Sequence, residues 1–249
     1  MSGVCGKKPE TSRWMDLLLS VTRGVGTIYH ALLEQGQSDD TTVDDFIVDA
    51  LFATITNANF DDSALLQKVD KGIALKKQLL AKAAELGVTL PDYHEVEWGG
   101  EKSDYEAEGD RETVLRTTNE DIRSLKETIV LGLKGMAAYY EHAARLGQRD
   151  EAITGFMAEA LAGITNPDAT ADSLLQLLLT TGKYGVDVMA LLDKANTGAY
   201  GKPEITKANI GVGERPGILI SGHDLHDIAD LLEQTEGTGR CCRHTTIPS

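Results

Sequence analysis

The chain has no run of eighteen apolar residues, so a membrane-spanning helix of ordinary length is not expected. Nor does it open with basic residues followed by an apolar stretch, the pattern of a secretory signal. Cysteine is scarce: Cys5 stands near one end, and Cys241 and Cys242 near the other. Three such residues cannot form the disulfide framework of a small secreted domain, and a reducing compartment, the cytoplasm, is the expected setting. Positive charge is also short. Against 39 acidic side chains stand 24 Lys and Arg, a net charge of −15, which repels nucleic-acid phosphates and anionic lipid alike. Neither nucleic acid nor a membrane is expected as a partner. Proline is missing from every apolar-periodic segment: Pro9, Pro91, Pro167, Pro203, Pro216 and Pro248 all fall between them, where a lost N–H breaks no helix.

What is present is a globular composition, 41% apolar and 25% charged over 249 residues, enough for a sizeable buried core. From Trp14 the positions Leu17, Leu18, Val21, Val25, Ile28, Tyr29, Leu32 and Leu33 recur at three and four residues, and Gly36 supplies a stop. Thr42 with Asp45 reads as a weak cap for a second helix through Phe46, Ile47, Ala50 and Leu51, and Leu65 to Leu86 trace a third. Residues 88–112 lose the period and carry Pro91, Gly99, Gly100 and a run of acidic residues, the composition of a solvated surface loop. Asn119, with Glu120 and Asp121 in the first turn, opens a helix through Leu125, Ile129, Leu133, Met136 and Tyr140 to Gly147. A shorter helix follows over roughly 150–164. Another runs from Leu174 to Leu192, with interruptions expected at Gly182 and Gly185.

The expected fold is therefore mainly α: a helical domain over 1–215, made of two three-helix bundles with an acidic connection at 88–112. The period then changes. Gly217-Ile218-Leu219-Ile220-Ser221-Gly222 reads as a strand closed by glycine, and Leu225, Ile228, Leu231 and Leu232 as a helix after it, so 216–239 opens an incomplete α/β, Rossmann-like domain. Residues 240–249 show no period and read as a divergent tail.

Few residues offer chemistry. Cys5 lies in a glycine-flexible segment where a thiolate can approach a metal, although one thiolate does not hold an iron–sulfur cluster. His223 falls where the strand hands over to the helix, the usual place of function in open α/β sheets. His226 sits in an acidic first turn that reads as solvated. Cys241, Cys242 and His244 crowd three soft ligands into four residues without a metal-site spacing. The glycines Gly211 and Gly213 precede the strand, whereas a dinucleotide fingerprint follows one. Glu141 and His142 are helix neighbours about 100° apart, poorly placed to act as a pair.

Four blocks carry a family likeness: Gly3-Val4-Cys5-Gly6-Lys7-Lys8-Pro9-Glu10-Thr11, Leu51-Phe52-Ala53-Thr54-Ile55-Thr56-Asn57-Ala58-Asn59, Asn119-Glu120-Asp121-Ile122-Arg123-Ser124-Leu125, and the run from Tyr200 through Ser221-Gly222-His223-Asp224 to Gly239. In order and in substance they resemble the hybrid-cluster proteins, also called prismane proteins or hydroxylamine reductases, which are relatives of the nickel carbon monoxide dehydrogenases. The likeness spans about residues 3–239 and less than half of a usual member. It implies an iron–sulfur oxidoreductase that reduces hydroxylamine to ammonia or nitric oxide to nitrous oxide, supplied by an electron-donor protein. By resemblance, Cys5 matches the last of four cysteines holding a cubane 4Fe-4S cluster. His223 matches the histidine ligand of the hybrid iron–sulfur–oxygen cluster. The likeness ends at Gly239, so the chain is expected to be truncated, with a final ten residues foreign to the family and without a complete active site. The alternative expectation is a catalytically inert helical fragment or interaction module.

Overall fold

The computed structural model describes residues 6–37, 40–56, 59–207, 211, 216–222, 225–238 and 241–245, the last stretch as backbone only. Contacts divide the chain into two units, Met1–Asp193 and Lys194–Ser249.

In the first unit α1 (Pro9–Glu34) starts with Pro9, whose missing N–H costs nothing in a first turn, and stops before Gly36 at φ 76°. Its expected stripe is buried: Leu17, Leu18, Val25 and Ile28 have no exposed surface. α2 (Thr41–Ile55) is capped by Asp40 rather than by Thr42, since the Asp40 carboxylate accepts from Thr42 N at 2.9 Å. α3 (Asp62–Glu85) is capped in the same way by Asp61.

The acidic stretch is not a solvated loop. It folds into α4 (His94–Glu97), α5 (Tyr105–Arg111) and two 3₁₀ turns at Lys102–Asp104 and Val114–Arg116, and both short helices lie against α1. α1 makes room for them by omission. A Cβ on Gly24 would stand 2.1 Å from the Glu95 carbonyl oxygen, so only glycine lets the α4 backbone approach this closely.

α6 (Glu120–Arg145) begins at the expected Asn119 cap, which accepts from Asp121 N and Ile122 N, and ends before Gly147 at φ 77°. α7 (Glu151–Thr165) follows, capped by Asp150. α8 (Ala171–Tyr200) then runs without a break, where the sequence led to interruptions at Gly182 and Gly185. Both glycines have open space where a Cβ would stand, and an isolated glycine costs a helix only about 1 kcal/mol, too little to stop thirty residues.

The two helical series repeat one another. Tyr29 accepts a hydrogen bond from the N–H of Asp40, the residue that caps α2, and Tyr140 accepts one from the N–H of Asp150, which caps α7. Their packing is reciprocal: α1 packs against α3 and α2 but almost as extensively against α7, and α2 packs chiefly against α6. The first helix of each series thus lies on the second helix of the other.

In the second unit β1 (Gly217–Ser221) and β2 (Cys241–Thr245) pair in parallel, with Gly217 opposite Cys241 and Ser221 opposite Thr245, and α9 (Leu225–Thr235) lies between them in the chain. The strand over Cys241–Thr245 was not signalled by the sequence: backbone pairing to β1, which any non-proline residue can supply, makes it. β1 is more exposed than a doubly covered parallel strand, with Leu219 at 73%.

Candidate functional site

The two residues singled out by sequence, Cys5 and His223, lie outside the described residues. The elements flanking His223 are as expected, β1 ending at Ser221 and α9 opening at Leu225. Of the other candidates, His226, Glu141 and His142 take structural roles. His226 stands 3.3 Å from Asp230 one turn on, both exposed, as in an ordinary surface pair. Glu141 pairs with Arg145 through one carboxylate oxygen, and the other stands 3.9 Å from His142 Nδ1, beyond hydrogen-bond distance, while the His142 ring meets Phe52 edge-on. Cys241, Cys242 and His244 belong to β2, and their side chains lie outside the described residues.

What sequence reasoning missed is a buried charged cluster built on the acidic stretch. Glu95 on α4, Glu108 on α5 and Glu112 just beyond it are each less than a tenth exposed. Arg23, from the buried face of α1, reaches Glu112 at 2.7 Å. Arg116 bridges Glu95, at 2.9 Å, and Glu112. Arg111 lies 3.2 Å from Glu108 and 3.3 Å from Glu112. His94 Nε2 meets both Glu108 oxygens, Ser20 donates to Glu108 at 3.2 Å, and Lys76 Nζ donates to the Glu95 carbonyl at 3.0 Å. A signal was available: Lys76 falls on the apolar period of α3 between Ile73 and Leu79, and a cation at a core position needs an anionic partner from elsewhere.

The electrostatics follow from burial. Desolvation raises the Glu112 carboxyl above its ordinary range despite Arg23 and Arg116, because Glu95 and Glu108 repel it too. For Glu95 desolvation is again the largest influence, but a backbone hydrogen bond and Arg116 together outweigh it and hold the carboxyl low. Lys76, 1% exposed, is pushed down to about 8 by burial against the pull of Glu108 and Glu95.

Two recesses flank this cluster. One, of about 470 Å³, is lined by His94, Glu95, Arg111, Arg116, Asn119 and Lys126 among others. The second, of about 180 Å³, lies between α1, the Val114–Arg116 turn and α6. Among the described residues no group of three or more His, Cys, Asp and Glu side chains is arranged to hold a metal ion. The thiolate supply agrees: a cubane cluster takes four cysteine ligands, and the sequence has three cysteines. The residues present therefore do not fit a complete cluster, and the arrangement described is that of an ion-paired, positioning core. No helix among the described residues is long and apolar enough to cross a membrane.

A sequence profile of the Prismane/CO dehydrogenase family matches residues 1–243. A protein named hydroxylamine reductase from Bacteroides fragilis is 52% identical over 242 residues, which is 96% of this chain and 43% of that relative. Hydroxylamine reductases from Porphyromonas gingivalis and Desulfitobacterium hafniense are 50% and 49% identical, each over 96% of this chain and 44% of their own length. The chain spans less than half the length of the curated relatives it matches.

Proposed function

Because the chain belongs to the Prismane/CO dehydrogenase family, we propose that it is the amino-terminal, helical part of a hydroxylamine reductase. In that reading residues 1–215 are the two-bundle helical domain and 216–239 opens an α/β, Rossmann-like domain. The setting is cytoplasmic, the substrate is hydroxylamine or nitric oxide, and electrons come from a donor protein. The observation that carries it is the combination of about half identity over nearly the whole chain with coverage of less than half of each relative.

Within that architecture Cys5 is one of four thiolates of a 4Fe-4S cluster, and His223 is an iron ligand of the hybrid cluster at the connection between β1 and α9. The clusters supply the redox chemistry. This chain's described residues do other work. The pairing of Glu95, Glu108 and Glu112 with Arg23, Arg111 and Arg116 fixes α4 and α5 on α1. Without the remaining ligands, the 249 residues alone bind no complete cluster and do not turn over, since each missing ligand also removes geometry that orients the others.

The test has two arms. Anaerobic reconstitution of this chain with iron and sulfide should leave iron substoichiometric and give no reduction of hydroxylamine or nitric oxide; stoichiometric cluster with turnover defeats the incomplete-site reading. In the second arm, residues 1–238 replace the matching part of the Bacteroides fragilis enzyme. That chimera should be active, and His223→Ala in it should abolish the hybrid-cluster paramagnetic signal while helical content is unchanged. A folded chimera whose hybrid cluster survives His223→Ala removes the ligand assignment.

A further inference from the structure

The third helix of each series can be set beside the other from its cap. Asp61 accepts from the N–H of Ala64, the third residue of α3, and Thr170 accepts from the N–H of Ser173, the third residue of α8. Nine residues beyond these caps stand Asp70 of α3 and Leu179 of α8. Asp70 is roofed by the acidic stretch, since Tyr105 and Lys102 each donate to it at 2.7 Å. Leu179 has no such roof among the described residues and is 61% exposed. It is one of a series. α8 is buried along Leu174, Thr181 and Val188, but about 100° round the helix Leu175, Leu179, Val186 and Met189, with Gly182 among them, form a second apolar stripe whose large side chains are 44% to 61% exposed. No other helix among the described residues exposes more than two large hydrophobic side chains.

The positions along this stripe are spaced four, three, four and three apart, the seam of a two-helix coiled coil, which is narrower than the apolar face a helix turns to a globular core. Such a seam accepts one helix with the same repeat. Among the described residues, α8 is the helix that exposes one. We propose that the α8 stripe is a self-association surface, on which α8 of a second copy of this chain packs about a two-fold axis. The stripe itself carries no charge, so in a chain of net charge −15 it is a face on which two copies meet without opposing carboxylates. Asp172 and Asp193 continue the repeat at either end and limit the seam to about 21 Å, at 1.5 Å per residue. That is short beside a standard interface of roughly 800 Å² per partner, so the association is weak and reversible, in the micromolar range. The stripe closes before the boundary at Asp193 and belongs to the helical unit, and the proposal is independent of the reductase reading above.

The experiment is sedimentation equilibrium of the 249-residue chain from micromolar to submillimolar concentration, at low and at high salt. The mass should climb from 26.8 kDa toward twice that value, and should do so at lower concentration in high salt, because screening weakens the repulsion between acidic copies and leaves apolar burial intact. Leu179→Glu and Val186→Glu each put a carboxylate on the seam and should weaken association at least tenfold. Leu131→Glu adds the same charge at an equally exposed position of α6 and should leave it within twofold. All three side chains are more than half exposed, so helical content by circular dichroism should match the parent, and if one seam variant misfolds the other decides. A chain that stays monomeric throughout overturns the proposal and leaves the stripe to the part of the longer relatives that this chain lacks. Equal weakening by Leu131→Glu, a dimer that survives both seam variants, or one that dissociates as salt is raised also overturns it, since each marks an association held elsewhere on the surface.

Discussion

At the scale of single residues, the acid–base consequence most open to measurement belongs to Asp16. It stands at the mouth of the smaller recess, open to solvent on one side but walled by protein on the others, and that partial desolvation pushes its carboxyl up to about 6 although Lys134 pulls the other way. A carboxyl whose folded pKa exceeds its unfolded value of about 3.9 favours folding while protonated and opposes it once ionised. Stability from this group is therefore fully present below about pH 4 and is lost as the pH rises through 6. Asp16→Asn should unfold at a higher temperature than the parent at pH 7.5, and the two curves should converge by pH 4. A parent that is the more stable at pH 7.5 would contradict the assignment. Gly24 gives a steric counterpart. Gly24→Ala drives a methyl into the Glu95 carbonyl, an overpacking that costs about 1–3 kcal/mol and lowers the midpoint by about 2–4 °C per kcal/mol. Gly182→Ala, where a Cβ meets nothing, should stabilise.

At the scale of elements, the acidic stretch and the two helical series behave oppositely as sequence signals. Stripes such as Leu17-Val21-Val25-Ile28 and Ile129-Leu133-Met136 announce their helices because a 3.6-residue period is imposed by one-sided burial. Their caps and glycine stops were legible for the same local reason. Residues 88–112 were not, because what buries Glu95, Glu108 and Glu112 is a set of arginines and a lysine from α1, α3 and the turn before α6, and no local pattern encodes a partner that distant. The reciprocal packing of α1 with α7 and α2 with α6 was hidden likewise, although the Tyr-to-Asp contacts that open α2 and α7 are printed twice in the chain. Arg116→Gln tests the cluster. It leaves two nearly buried carboxylates short of their counter-charge and should cost roughly 3 kcal/mol in urea unfolding, more than Glu112→Gln, which removes a carboxylate whose charge burial already disfavours.

At the scale of the whole molecule, the boundary at Asp193 and Lys194 separates a well-buried unit from one in which α9, the helix that lies wholly within it, buries no side chain among the described residues. Gly201–Lys207 carry no secondary structure and are exposed throughout, with Ile205 fully in solvent. Trypsin should cut first at Lys207, and the resulting amino-terminal fragment should keep the thermal transition of the intact chain; first cuts inside α1 to α7 would show that the helical unit is the weaker of the two. The proposed metal ligands were the reverse case to the acidic stretch: sequence names Cys5 and His223 through likeness to a family, whereas the charged cluster is legible only in the structure.

The reciprocal packing also sets a schedule for synthesis. A Cβ on Gly26 of α1 would lie 2.7 Å from Leu161 of α7, so that face of the first helix is covered by residues made more than a hundred positions later. At about 5–20 residues per second, the ribosome leaves it bare for on the order of ten seconds after α2 and α3 have emerged. During that interval the nascent chain presents the face meant for α7 to solvent, and a holdase chaperone has a defined place to sit until α7 arrives to displace it.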